Sequence, residues 1–152
     1  MKGLYYEDFE LEHPMEVVSR TLTETDVVLF TGITGMNNPL FLDDHFAKNS
    51  RYGQRIVPGI LTLGMAIGMT EHMIHGTVVA LLGLTDVKFV SPLFFNETIA
   101  VHTLVTGKRL SKSNPKAGII HVLNEVNKTE SDQLVLRFER DIMVYRREKD
   151  NG

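Results

Sequence analysis

"VPGILTLGMAIGMTEHMIH", residues 57–75, decides the fold. From Ile60 to Met69 every residue is apolar or glycine except Thr62. Pro58 fits the first turn of a helix, where its missing N–H removes no hydrogen bond. A helix apolar all round must be buried on most of its sides. Gly64 and Gly68, one turn apart, leave a flat face against which another backbone can pack closely. The apolar run is about half of the roughly 20 residues that cross a bilayer, so it reads as a core helix and not a membrane span.

What covers that helix follows it. Residues 77–91, 97–111, 117–128 and 133–147 are rich in β-branched and aromatic residues and read as strands. In the last, Leu134, Leu136, Phe138, Ile142 and Val144 share one face at a period of two. Arg140 interrupts that face and is read as a strand bend or an exposed stretch. "KSNPKAG" (112–118) and "KTESD" (128–132) are turns, and short connections make neighbouring strands antiparallel. Ahead of the helix, residues 16–23 read as a first strand. The Thr/Glu/Thr/Asp segment then caps a short helix over 26–32, which Gly32 and Gly35 break. A second short helix starts at Asp43 or Asp44. An antiparallel sheet wrapped around one long helix is the simplest solution, an α+β fold.

The 152 residues suit one domain over 1–152, with no repeat or linker. A net charge of −3 argues against a nucleic-acid partner, which would show as a basic face. Without cysteine there is no disulfide, thiolate nucleophile or thiolate metal site. The acidic start, "MKGLYYEDFELEHP", has no apolar signal region, so a cytoplasmic location is expected.

The loop "TGMNNPLFLDDHFA" (34–47), with "RIVPGILTLG" (55–64) after it, resembles the MaoC-like family of hot-dog-fold acyl-thioester hydratases and dehydratases. "VKFVSPLFFNETIAVHTLV" is similar to a later strand pair of that family, so the resemblance spans roughly residues 4–146. It implies a hot-dog fold, an antiparallel sheet around a long central helix, with two such units paired. It also implies an enoyl-CoA hydratase or 3-hydroxyacyl dehydratase function on acyl-CoA or acyl-carrier-protein thioesters, with no cofactor and no metal. Family members carry Gly-Asp-x-Asn-Pro-Ile-His-x-Asp; this chain reads Gly35, Met36, Asn37, Asn38, Pro39, Leu40, Phe41, Leu42, Asp43. Glycine, asparagine, proline and the final aspartate remain, while the acid and histidine positions hold Met36 and Phe41. Methionine and phenylalanine carry no proton to exchange, so the paired acid and base that hydration needs are missing.

The residues implied at the substrate are Asn38, Pro39, Phe41, Asp43, Gly59 and Ile60. The N–H of Gly59 at the start of the central helix would polarise the thioester carbonyl, helped by the helix dipole. Phe30, Leu40, Phe41 and Ile60 could line an acyl tunnel or simply pack the core. Asp43, Asp44 and His45 are consecutive and cannot converge as a dyad. Glu71, His72 and His75 have helix spacing for a metal but no third His or Cys to complete it. His13, His102 and His121 stand alone. Three roles remain open: a hydratase using substitute residues, a binding subunit in a homodimer or paired with a dyad-bearing hot-dog subunit, and a stand-alone acyl-thioester binder or sensor. A hot-dog thioesterase belongs with the last and would need a carboxylate from Asp26, Asp43 or Asp44.

Overall fold

The four long strands flank the central helix as the pattern requires, and a short fifth completes the sheet. In the computed structural model, which describes residues 2–147, these are β1 (Val18–Thr21), β2 (Val78–Phe89), β3 (Thr98–Leu110), β4 (Ala117–Lys128) and β5 (Leu134–Tyr145). All pairs are antiparallel, in the order β1-β3-β4-β5-β2. β3, β4 and β5 are successive hairpin neighbours, whereas β2 crosses over to pair with β5 and, among the described residues, leaves its other edge unpaired. No helix among the described residues is long and apolar enough to cross a membrane.

Four helices precede β2. α1 (Glu24–Thr34) starts at Thr23, whose hydroxyl accepts from the Asp26 N–H at 3.4 Å while Asp26 Oδ2 accepts from the Thr23 N–H at 2.9 Å. This reciprocal capping box sets the helix start two residues before the expected one. Gly32 does not break α1, because an isolated exposed glycine only weakens a helix. Gly35 ends it, in the left-handed conformation at φ 71° that favours glycine. α2 (Pro39–Leu42) and α3 (Asp44–Lys48) follow, then α4 (Gly59–Met69).

α4 is the central helix, with Pro58 as its N-cap residue and not its first turn. It stops at Met69 because the Thr70 hydroxyl takes up the Ile67 carbonyl at 2.8 Å, and Glu71–Ile74 continues as a 3-10 turn. Leu61, Thr62, Leu63 and Ala66 are buried. Ile60, Gly64 and Gly68 instead face outward, so burial on most sides does not hold within one chain. Space is open at both glycines, where an added Cβ would meet nothing within 4 Å.

Two apolar clusters fill the space between helix and sheet. Leu61, Leu63 and Ala66 pack with Ile99, Val101, Val126, Leu136 and Phe138 along α4. Beyond the helix end, Met73 and Ile74 pack with Val105, Ile120, Val122, Ile142, Val144 and Phe9 of the N-terminal segment. That segment is strapped on by Leu4 N–H to Met73 O at 2.7 Å and Met15 N–H to Thr103 O at 2.9 Å.

Between the clusters lies a polar row, and it corrects the reading of Arg140. Arg140 keeps the inward alternation of β5 and is 2% exposed, neither bent out nor solvated. Its Nε donates to Asn124 Oδ1 at 3.0 Å and its Nη2 to Thr70 Oγ1 at 2.9 Å; Asn124 Nδ2 donates in turn to Thr103 Oγ1 at 2.6 Å. The guanidinium is tolerated there because it meets the negative end of the α4 dipole. Burial pushes its pKa down to about 10, opposed by the nearby Glu71 carboxylate, so it stays charged at neutral pH.

Candidate functional site

The loop that leads to α4 is a chain of capped turns. The Gly35 N–H donates to Thr31 O at 2.9 Å and closes α1. Asn38 then caps α2, its Oδ1 accepting from the Leu40 N–H at 2.9 Å, and Pro39 follows in the first turn. Asp43 caps α3, its Oδ1 accepting from the Phe46 N–H at 3.0 Å. Each substitutes a side-chain oxygen, or a locked φ, for a missing helical partner. At four residues α2 is too short to show as a periodicity, which is why only α3 was expected.

Arg55 fixes this loop beside the start of α4. Its Nη2 lies 2.7 Å from Glu24 in the first turn of α1, and its Nε 2.6 Å from Asp44 in the first turn of α3. Its guanidinium also lies 4.8 Å from the centroid of the Phe95 ring. Burial alone would lower its pKa, but the two carboxylates outweigh that and hold it above the usual arginine value. The Ile56 N–H donates to Leu40 O at 3.3 Å, so the loop and the approach to α4 share a backbone bond.

At the start of α4 no side chain provides a cap, since Pro58 has none to offer. Thr62 is the first residue of the helix whose N–H finds an acceptor, Pro58 O at 3.1 Å. The donors before it form the positive end of the helix dipole and have no partner among the described residues. They border a cavity of about 360 Å³ whose lining includes Met36, Arg51, Tyr52, Gly59, Ile60 and Phe89. Gly59 has little room: a Cβ there would stand 2.8 Å from Cδ1 and Cε1 of Phe89. Arg51 is the only charged side chain in the lining, which holds no carboxylate and no imidazole.

The residues singled out from sequence divide accordingly. Met36, Gly59 and Ile60 meet at the cavity. Phe41 and Phe30 pack against the cluster around Leu22 and Val27. Asn38, Pro39 and Asp43 lie in the capped turns, exposed. Arg51, Tyr52 and Phe89 were missed; the signal for the first two was their position in the connection between loop and helix.

Other candidate groups are occupied elsewhere. Asp26 is held by the Thr23 N–H and by Arg20 at 2.8 Å, Asp43 by its cap, and Asp44 by Arg55. His72 Nδ1 lies 3.1 Å from Met69 O, and among the described residues no three His, Asp or Glu side chains gather as a metal would need. His121 pairs across the sheet with Asp141, away from the cavity lining.

Comparison with known proteins is consistent with this geometry. A family profile described as a MaoC like domain matches residues 8–128. The β-methylmalyl-CoA dehydratase of Chloroflexus aurantiacus is 28% identical over 147 residues, which are 96% of this chain but 41% of that protein, so the chain spans less than half of that relative's length. A solved Archaeoglobus fulgius structure, described as a monoamine oxidase regulatory protein, superposes with a TM-score of 0.87 at 30% identity, covering 97% of this chain and 98% of its own. A Mycobacterium tuberculosis protein with a double hot-dog fold superposes with a TM-score of 0.86 over 99% of this chain and 46% of its own; at 22% identity, that likeness speaks for the fold alone.

Proposed function

This chain belongs to the MaoC-like domain family of hot-dog proteins, and from that premise we propose that it binds an acyl thioester of coenzyme A or of acyl carrier protein. The observation that carries the reading is the uncapped start of α4, opening on the cavity at Gly59. A thioester carbonyl accepting the Gly59 N–H there is polarised by a backbone donor and by the helix dipole, where an enolate-like charge would develop. The apolar walls supplied by Met36, Ile60 and Phe89 suit an acyl chain.

Binding and chemistry are separated in this reading. Hydration of an enoyl thioester, or its reverse dehydration, needs groups that take and give a proton, and the two loop positions hold Met36 and Phe41. No other acid or imidazole lines the cavity to replace them. The chain therefore acts as a binding subunit or a weak catalyst of the hydratase and dehydratase class. The thioesterase reading lacks a carboxylate at the cavity, since Asp26, Asp43 and Asp44 are engaged elsewhere.

The unpaired edge of β2 offers a place for a second hot-dog subunit, either a copy of this chain or one bearing the missing pair. Val79, Leu81, Leu82 and Leu84 are exposed along it, and a free apolar edge strand is a template for pairing.

The test is turnover of crotonyl-CoA by the purified chain. Rates should fall far below the order of 10 per second typical of enzymes; activity at that level sinks the binding-subunit reading. Restoring the pair with Met36→Asp and Phe41→His should raise hydration by about 100-fold or more, the usual contribution of general acid–base groups. No gain in a folded double variant would mean that the side chain at position 41, which packs against the core cluster and not in the cavity lining, does not reach the thioester.

A further inference from the structure

We infer that Arg51 selects acyl thioesters whose acyl chain itself carries a carboxylate, an inference that rests on the thioester reading above. Arg51 is the one charged side chain in an otherwise neutral, largely apolar lining. Among the described residues it pairs with no carboxylate, as is also true of Arg109 and Arg140, whereas Arg20, Arg55, Arg137, Arg146 and Arg147 each do. Its orientation is set from one side only. Nη2 donates to Tyr52 Oη at 2.7 Å, and the guanidinium carbon lies 4.7 Å from the centroid of that ring. A guanidinium has five N–H donors in a planar fork, so the Tyr52 contact leaves enough for a two-pronged grip on a carboxylate.

Distance separates the two anions that a thioester could present. The cavity, about 360 Å³, is on the scale of a short acyl group, while a pantetheine arm is as long as about four extended residues, roughly 14 Å. With the carbonyl at Gly59, the phosphates of the carrier lie outside the cavity that Arg51 and Gly59 share. Arg51 is itself exposed, but it shares the cavity lining with Gly59, so an anion that it reaches within that span belongs to the acyl side, a few carbons from the carbonyl. The substrate class is the thioester of a short dicarboxylic acid.

Calorimetric titration with succinyl-CoA, butyryl-CoA and free coenzyme A tests this on the whole chain. Succinyl-CoA should bind about tenfold or more tightly than butyryl-CoA, the scale of one charge-assisted, two-pronged contact. Arg51→Gln should bring that ratio close to one, and Arg51→Lys should keep part of it, because a point charge replaces the fork. Equal affinity of the unaltered chain for the two thioesters overturns the inference while leaving the thioester reading intact. A uniform loss across all three ligands in Arg51→Gln also overturns it, by assigning Arg51 to the phosphates of the carrier. Failure of both thioesters to bind removes the thioester reading and the inference with it.

Discussion

α4 runs at its C-terminal end into Thr70, whose hydroxyl is tied to Arg140 and through it to Asn124 and Thr103, while at its N-terminal end Pro58 caps nothing and the backbone faces a cavity. The first end is closed further by Met73, Ile74 and the N-terminal segment around Phe9. One helix thus has a finished end, where polar groups are satisfied inside the protein, and an unfinished one, where backbone donors have no partner among the described residues. Stability and binding should accordingly respond to different ends.

The largest effect is expected at the finished end. Arg140→Ala removes two hydrogen bonds, leaves Asn124 and Thr70 short of a partner and opens a cavity; it should lower the unfolding free energy by about 3–5 kcal/mol in urea denaturation. Arg140→Met keeps most of the volume and should lose less. A loss within about 1 kcal/mol for the alanine variant would mean the polar row contributes little and the contrast between the ends fails.

At the unfinished end the same size of change should leave the fold and damage the ligand. Gly59→Ala places a methyl group 2.8 Å from the Phe89 ring, which is half exposed and able to swing aside. Unfolding free energy should shift by less than about 1 kcal/mol, while thioester affinity falls about tenfold as the displaced ring narrows the cavity. Phe89→Ala in that background should recover part of the affinity; no recovery would mean that the loss does not pass through the displaced ring, since the alanine variant keeps the backbone N–H.

The smallest effect concerns the strap over the finished end. Asp8 is held by Arg147 at 2.7 and 2.8 Å, and also accepts the Tyr5 N–H at 2.9 Å. The Arg147 guanidinium, ahead of the Tyr5 N–H, keeps the Asp8 carboxyl below its ordinary value. A folded pKa lower than the unfolded one stabilises above the unfolded value, near 3.9, and that stabilisation is lost as pH falls through the folded value. Asp8→Asn should therefore lower the melting temperature by about 2 °C at pH 7, and the gap should close in strong acid. A gap independent of pH would remove the charge from the explanation.

Much of this was open to reading from the chain alone. The β-branched runs placed all four long strands, and the apolar run placed α4, because both signals act within a few residues. Gly59 and Ile60, singled out through the motif that surrounds them, line the cavity. Arg140 was misread because its partners Thr70 and Asn124 lie 70 and 16 positions away, and nothing local distinguishes an arginine that has such partners from one that bends a strand outward. Arg51 and Tyr52 passed unnoticed for a related reason, since an ordinary polar connection becomes a cavity wall only when the loop and α4 are brought together.

By itself the sequence determined the α+β order of elements and a cap at Asp43 or Asp44; that Met36 and Phe41 stand where the MaoC-like loop has its acid and histidine rests on the resemblance to that family. These are local matters of side-chain chemistry and backbone preference. Only the tertiary structure decided that Met36 turns to the cavity while Phe41, half-buried, packs against the core cluster, that a charge at Arg140 is satisfied inside, and that one end of α4 stays open. Burial and hydrogen-bond satisfaction belong to the packed whole, and no single stretch of the chain carries them.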